Sequence, residues 1–355
     1  MNQQIHTHGR TSGNRSKIDK FKGHISQIYI IYSVNSRCFI QVEIVHRPKR
    51  FVEATMDRDA VEEALNTAFF KYKGVYFEND YTSPEIIDDI EHMEIREDDV
   101  FLVTYPKSGT IWTQQILSLI FHEGHRNGTE QIENIDRVPW IEYKYKDFDI
   151  KSRPSPRLFS THLPYYLMPR DLRFRTGKVL YVCRNPKDVL VSFYHFIRML
   201  PYLKCSIDWE TFLELFISGR VTGGSWFDHV RGWYTHKEDF NILIVTYEEM
   251  KKDLRFAVKK ICKFVGVNLD EKEIDTVVER ATFKNMKCDP CANYESIPIE
   301  YLDKTKGNFL RKGTVGDWKN IMTVAQSEMV DKVFKEKMGN LPINFLSDID
   351  EEPAS

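Results

Sequence analysis

The segment from residue 100 to residue 121 joins a buried strand, a tight turn that carries a lysine, and a helix. Val100–Val103 is a continuous apolar run of the kind that is buried on both faces of a parallel sheet. The turn reads Tyr-Pro-Lys-Ser-Gly-Thr, and Thr110–Phe121 then carries apolar residues at helical spacing. The first N–H groups of a helix lack intrahelical partners, and the helix dipole adds positive charge there. We therefore predict a phosphate or sulfate site that includes Lys107.

The turn differs from a Walker A loop, in which the lysine follows the second glycine of the motif. Here Lys107 stands two residues before Gly109. A P-loop nucleotide kinase or another NTPase is nevertheless an alternative, and an ordinary helix cap with a surface lysine is the simplest one. A kinase would need a magnesium ligand after a strand, for which Glu248 and Glu249 are weak candidates.

Three further apolar runs end at residues that can take part in chemistry. The runs are Arg157–His162, Lys178–Arg184 and Asn241–Tyr247. Each has the composition of a buried strand, and ligands of open α/β sheets bind at the carboxyl edge of the strands. The sequence thus predicts an α/β fold with a central parallel sheet flanked by helices, and a binding site that gathers Lys107, His162, Arg184 and Tyr247.

Four motifs in this order resemble those of the cytosolic sulfotransferases: the Tyr-Pro-Lys-Ser-Gly-Thr turn, Thr161–Pro164, Arg184–Asp188 and Arg311–Trp318. The resemblance covers roughly residues 71–345. The segments that look most like the amine sulfotransferase branch are Ile111–Gln115, Arg153–Arg157 and Trp226–Trp233.

The resemblance implies that the donor is 3′-phosphoadenosine 5′-phosphosulfate (PAPS), bound at a P-loop-like phosphosulfate-binding turn. It further implies that the acceptor is a small amine, phenol or alcohol, that His162 is the general base, and that Lys107 neutralises the bridging oxygen. An imidazole near its ordinary pKa suits that role. The implied donor-binding residues are Lys107, Ser108, Gly109, Thr110, Ile111, Trp112, Arg184, Ser192, Tyr247, Thr282, Phe283, Phe309, Leu310, Arg311, Lys312 and Gly313. Tyr81, Trp140, Tyr143 and His162 are expected to line the acceptor pocket.

Two positions depart from the family pattern. Many members have a lysine two residues before the histidine, where this chain has Ser160, and a frequent Thr-Ser-Phe is replaced by Ala281-Thr282-Phe283. Ser160 keeps open a third interpretation, a non-catalytic nucleotide-binding protein of the same fold.

Composition narrows the class of partner. A net charge of −2 over 355 residues argues against broad binding to nucleic acid or to an anionic membrane. The chain has no apolar stretch long enough for a membrane span and no signal-peptide pattern, so a cytoplasmic location is expected. No metal is expected, since the carboxylates form no dense cluster in the sequence.

The chain is expected to divide into three parts. Residues 1–70 form an atypical extension, in which 1–20 is predicted to be disordered and Ile28–Tyr32 with Cys38–Val45 suggest a hairpin. Residues 71–345 form the sulfotransferase-like domain, and 346–355 an acidic tail. The family resemblance also suggests a homodimer through Lys319, Thr323, Val324 and Glu328.

Overall fold

The computed structural model describes residues 58–121, 131–144, 149–339, 341–343 and 345. The segment predicted to be disordered, the expected hairpin between residues 28 and 45 and the acidic tail lie outside these residues. The compact unit that contains the described residues begins at Met56. Residues 58–70, which the sequence assigned to the extension, therefore belong to the same compact unit as the domain, and the rest of the three-part division stays a prediction.

Strands and helices are interspersed between residues 58 and 246, and only helices follow among the later residues that the structure describes. The strands are β1 (Phe69–Tyr72), β2 (Val75–Glu78), β3 (Val100–Thr104), β4 (Leu158–Thr161), β5 (Lys178–Cys183) and β6 (Ile242–Thr246). The helices are α1 (Arg58–Ala68), α2 (Pro84–Glu91), α3 (Thr110–Phe121), α4 (Asn134–Arg137), α5 (Pro186–Ile197), α6 (Trp209–Ser218), α7 (Trp226–Thr235), α8 (Tyr247–Lys252), α9 (Leu254–Val265), α10 (Glu271–Arg280), α11 (Phe283–Cys288) and α12 (Val324–Met338).

The central sheet is parallel, with the strand order β4-β3-β5-β6. Val100 of β3 pairs with Leu158 of β4 on one side and with Lys178 of β5 on the other. This arrangement confirms the predicted fold class. Because the strands run in one direction, their carboxyl ends share an edge, and His162 and Arg184 are the first residues beyond β4 and β5.

The sheet is buried on both faces, which explains the uninterrupted apolar runs of its strands. Successive side chains of a strand point to opposite faces. Phe101 and Val103 accordingly join one hydrophobic cluster with the residues of α5, α6 and α7, whereas Val100 and Leu102 join another with those of α3, α9 and α10. Within the described residues, no helix combines the length and apolar character needed to cross a lipid bilayer.

A small antiparallel hairpin, β1–β2, precedes the strands of the main sheet in the sequence and ends at the acidic residue Glu78. Phe69 pairs with Glu78 and Tyr72 with Val75, so Lys73 and Gly74 form a two-residue turn. Both have positive φ, as such hairpin turns require, and glycine adopts it readily. A parallel bridge from Tyr76 to Thr222 fixes the hairpin against the segment after α6.

Candidate functional site

The turn after β3 has the shape expected for an anion site. Lys107 and Gly109 both have positive φ, 67° and 104°, which turns the chain sharply into α3. A Cβ at Gly109 would lie 2.8 Å from the Cδ2 atom of Tyr247, so a larger residue would clash there. The hydroxyls of Thr104 and Thr110, 2.6 Å apart, join the end of β3 to the first residue of α3.

Lys107 lies among aromatic rings and other cations. Its Nζ is 4.0 Å from the ring centroid of Phe196 and 4.5 Å from that of Phe309. Burial, with repulsion from Arg184 and Arg311, lowers the pKa of Lys107 to about 7. An anion in this site would raise the pKa of Lys107, because a nearby negative charge favours the charged form of lysine.

Arg184 connects the turn to the C-terminal loop. Its guanidinium donates to the carbonyl oxygen of Lys107 at 3.2 Å and to that of Thr314 at 2.9 Å. It also lies over the ring of Tyr247, 4.2 Å from the centroid. Arg184 therefore presents its charge to the cavity while holding two segments together.

The second group of cations is organised by two buried carboxylates. Asp317 accepts from Arg311 at 2.7 Å and from Lys312 at 2.6 Å. Asp188, at the start of α5, accepts from the backbone N–H groups of Gly316 and Trp318. Asp188, the last residue of the Asn-Pro-Lys-Asp motif, thus fixes the C-terminal loop. Arg311 and Lys312 of this loop line the cavity.

The residues expected around adenine adopt a close arrangement. Trp112 donates from Nε1 to the carbonyl oxygen of Ala281 at 2.7 Å, and its ring lies 5.1 Å from that of Tyr247. A Cβ at Gly313 would come within 2.3 Å of the Phe283 ring, so the glycine permits close packing of the loop on that ring. Because the contact with Trp112 comes from the backbone carbonyl of Ala281, it does not depend on which side chain stands at position 281.

His162 is held at three points. Its backbone N–H donates to Glu142 at 2.6 Å, and its carbonyl oxygen accepts from His229 Nε2 at 3.1 Å. Its ring Nδ1 lies 2.8 Å from the carbonyl oxygen of Thr104. A carbonyl can only accept, so Nδ1 carries the proton and Nε2 keeps the basic lone pair.

The electrostatic environment of His162 differs from the sequence expectation. Burial lowers the pKa of His162 well below its ordinary value, with smaller contributions from His229 and Lys107. The expectation of an imidazole near its ordinary pKa was therefore wrong. The ring is neutral at physiological pH, as a proton acceptor must be.

Ser160, which replaces the lysine of many family members, is fully buried. Its hydroxyl accepts from Gln114 Nε2 at 2.8 Å, and Gln114 in turn accepts from the hydroxyl of Tyr294 at 2.7 Å. The position thus belongs to a polar network between β4 and α3. The positive groups at the anion turn are therefore Lys107, the start of α3 and the neighbouring Arg184.

A single cavity of about 300 Å³ brings the two predicted sets of residues together. Its wall includes every predicted donor residue except Ser108 and Thr282, and all four predicted acceptor residues. Ser108 is buried, and Thr282 caps α11 through its hydroxyl. The rings of Trp140 and Tyr143 lie 4.5 Å and 6.4 Å from that of His162.

Several wall residues were missed by sequence reasoning: Glu78, Phe196, Tyr202, Tyr294 and Tyr301. Phe196 follows Ser192 by one helical turn, a spacing that could have revealed it. The others come from loops and a hairpin whose position only the tertiary structure defines. Glu142, which fixes the backbone of His162, was missed for the same reason.

The carboxylates considered as magnesium ligands have structural roles. Glu248 accepts from the backbone N–H of Asn185 at 2.9 Å, and Glu249 completes a capping box with Thr246 at the start of α8. In the part of the chain that the structure describes, no three His, Cys, Asp or Glu side chains are grouped to hold a metal ion. Cys288 and Cys291, at CxxC spacing, are not joined by a disulfide bond.

Comparison with protein families identifies a sulfotransferase domain over residues 97–342. An amine sulfotransferase of Oryctolagus cuniculus is 52% identical over 286 residues, which is 80% of this chain and 95% of the relative. Sulfotransferase 2B1 of Mus musculus is 42% identical over 288 residues, 81% of this chain and 85% of the relative.

Two solved structures share the fold. Mouse sulfotransferase SULT7A1, solved in complex with PAP, matches with a TM-score of 0.63 and 35% identity over 77% of this chain and 96% of its own. Retinol dehydratase, solved with retinol and PAP, matches with a TM-score of 0.70 and 25% identity over 81% of this chain and 96% of its own.

Proposed function

The chain belongs to the sulfotransferase family, and we propose that it transfers the sulfuryl group of PAPS to a small amine, phenol or alcohol in the cytoplasm. PAP, the nucleotide in the two related structures, is what remains of PAPS after transfer. One observation supports the proposal most: the anion turn, the Arg311–Lys312 pair and His162 face one cavity. That arrangement matches a donor with a phosphosulfate at one end and a 3′-phosphate at the other.

In the proposed reaction, the acceptor oxygen or nitrogen attacks sulfur while the bond from sulfur to the bridging oxygen breaks. The acceptor proton goes to His162 Nε2, and PAP leaves with the electron pair of the broken bond. Lys107 and the N–H groups at the start of α3 stabilise the charge on the leaving oxygen. The hydroxyl of Ser160 accepts a hydrogen bond from Gln114. We therefore assign to Lys107 and the start of α3 the charge stabilisation that the usual lysine provides in other family members.

The other donor residues have roles that follow from their positions. We assign the 3′-phosphate to Arg184, Ser192, Arg311, Lys312 and Gly313, and the adenine ring to Trp112 and Phe283. Arg311 offers a planar fork for a phosphate and Lys312 a point charge. Ser108 and Thr282 stay predictions, since neither lines the cavity.

The kinase alternative is not favoured, because Glu248 and Glu249 are occupied by backbone N–H groups and the family is that of sulfotransferases. A non-catalytic protein is not favoured either, because His162 is fixed with its basic nitrogen available.

Sulfuryl transfer should need no added divalent metal. Lys107, the α3 N-terminus and the Arg311–Lys312 pair supply the positive charge that a phosphosulfate requires. We expect the same rate of sulfate transfer from PAPS to a phenol or an arylamine with EDTA as with magnesium. ATP in place of PAPS serves as the control donor. Loss of activity on chelation, with recovery on adding magnesium, would contradict this expectation, and phosphate transfer from ATP would restore the kinase alternative.

Arg311→Ala should weaken PAP binding about 10-fold to 100-fold and leave binding of adenosine 5′-phosphate nearly unchanged. The reason is that the 3′-phosphate would lose one charge-assisted partner while the rest of the nucleotide keeps its contacts. Titration calorimetry with both nucleotides measures this difference. Arg255→Ala, which removes an exposed arginine paired with Glu271 and Asp275, is the matched control.

An equal loss for both nucleotides would show that Arg311 does not read the 3′-phosphate. Arg184→Ala is expected to weaken both, with the larger loss for PAP, because Arg184 also holds the Lys107 and Thr314 carbonyls.

The homodimer through Lys319, Thr323, Val324 and Glu328 is part of the proposal. Its support is an apolar surface at the start of α12: the exposed fraction is 75% for Val324, 50% for Met329 and 39% for Ile321. Sedimentation of the full chain and of Val324→Glu would measure it.

A further inference from the structure

The acceptor side of the cavity contains a buried carboxylate that the proposed transfer does not use. Glu78, the last residue of β2, lines the cavity and is only 7% exposed. Its Oε2 has no hydrogen-bonding partner among the described residues, nor does any described cation pair with it. A buried charge is costly unless a partner compensates it. No described cation compensates the charge of Glu78, and a cationic ligand would do so.

Three tyrosine rings line the same cavity as the Glu78 carboxylate. The ring of Tyr81 lies 5.7 Å from that of Tyr202 and 5.6 Å from that of Tyr301, and all three line the cavity. The hydroxyl groups of Tyr143 and Thr222 are neighbours of Glu78 and partly offset the effect of burial, which raises the pKa of Glu78 to about 6. Aromatic faces attract cations, and a carboxylate among them makes the attraction directional.

The charges of the cavity are divided between its two ends. Lys107, Arg184 and Arg311 lie on the donor side, whereas Glu78 lies on the acceptor side. Burial raises the pKa of the nearby Glu142 to about 8, so that carboxyl group is mostly neutral at pH 7 and Glu78 carries the negative charge of this end. A positively charged acceptor group would be repelled at the first end and attracted at the second. The division therefore orients an acceptor that carries one cationic group.

Tyr143 sets the spacing between Glu78 and the catalytic histidine. Its ring lies 6.4 Å from that of His162, and its hydroxyl is a neighbour of Glu78. An acceptor whose nucleophilic atom approaches His162 would thus reach Glu78 with a group on the far side of an aromatic ring.

We propose that Glu78, with Tyr81, Tyr202 and Tyr301, forms a subsite for a protonated amine of the acceptor. The acceptor class is then bifunctional: a nucleophilic hydroxyl or neutral amine near His162, and an ammonium group one aromatic ring away. This assignment deepens the proposed function and rests on it. A cationic acceptor is then compatible with sulfuryl transfer, because the attacking atom is neutral and the positive charge is on a different group.

The test compares tyramine, a phenol with an ethylammonium group, with para-propylphenol, its uncharged isostere. For the native protein above pH 7, we expect the KM of tyramine to be lower by about 10-fold to 100-fold, the range of one charge-assisted contact. Glu78→Gln keeps the shape and should abolish this preference by raising the KM of tyramine alone. Glu63→Gln removes an exposed carboxylate of α1 and is the matched control.

Several outcomes are decisive. A parallel change in the KM of both phenols, or equal KM values in the native protein, would overturn the subsite. PAP binding by Glu78→Gln reports whether that variant is folded, and the native comparison needs no variant. If neither phenol is sulfated, the proposed function fails for phenols, and calorimetric binding of tyramine and para-propylphenol to the complex with PAP still decides the subsite: tighter binding of tyramine supports it and equal binding overturns it.

Discussion

Replacing His162 with alanine is expected to lower kcat by about 10²–10⁴ while the Kd for PAP stays the same. The loss follows from removal of the nitrogen that takes the acceptor proton; the nucleotide contacts lie elsewhere in the cavity. Steady-state sulfation of a neutral phenol and calorimetry with PAP measure the two quantities. His236→Ala is the matched control, because His236 is a partly exposed histidine that stacks on Tyr165.

A second variant separates the chemistry from the structural role of the ring. His162 Nδ1 donates to the carbonyl of Thr104, so alanine also leaves that acceptor without a partner. Asparagine can keep this donor but has no basic nitrogen. His162→Asn should therefore be as inactive as the alanine variant and more stable. More than half of the native activity in either variant would remove His162 from the mechanism.

The sheet and its carboxyl edge were predictable because their signal is local. Val100–Val103 and Val179–Cys183 are apolar without interruption, since strands buried on both faces need apolar residues at every position. Thr110–Phe121 was predicted with its observed ends, because the glycine turn before it and the apolar stripe within it define a helix. Because the strands are parallel, the motif residues that follow them lie at the carboxyl edge of the sheet.

What the sequence did not reveal depends on contacts between distant segments. Glu78 faces the cavity only because the β1–β2 hairpin is fixed against Thr222 by the bridge at Tyr76. Ser160 could be recognised as a departure, but its bond to Gln114 needs the packing of α3 on β4. The lowered pKa of His162 results from its burial in the folded protein, which the amino-acid sequence alone does not show.

Lys107→Met should lower kcat by about 10²–10³, the effect of losing one group that stabilises the charge of a transition state. Methionine keeps an unbranched apolar stem of similar length for the contacts with Phe196 and Phe309. The Kd for PAP should change less, because Arg311 and Lys312 remain. Steady-state kinetics measures kcat, and Lys263→Met, at an exposed position outside the cavity wall, is the control. A kcat near the native value would show that the bridging oxygen is stabilised by other groups.

The same substitution has a pH signature, which follows from the sign of the pKa shift. Burial and the neighbouring arginines lower the pKa of Lys107 to about 7, so it is mostly neutral at pH 8. Bound nucleotide raises that pKa, so binding takes up close to one proton at pH 8, and affinity falls as pH rises above 7. Calorimetry in buffers of different ionisation enthalpy counts that proton. Lys107→Met should abolish the uptake, and its persistence would assign the proton to another group, such as Glu142, whose pKa burial raises to about 8.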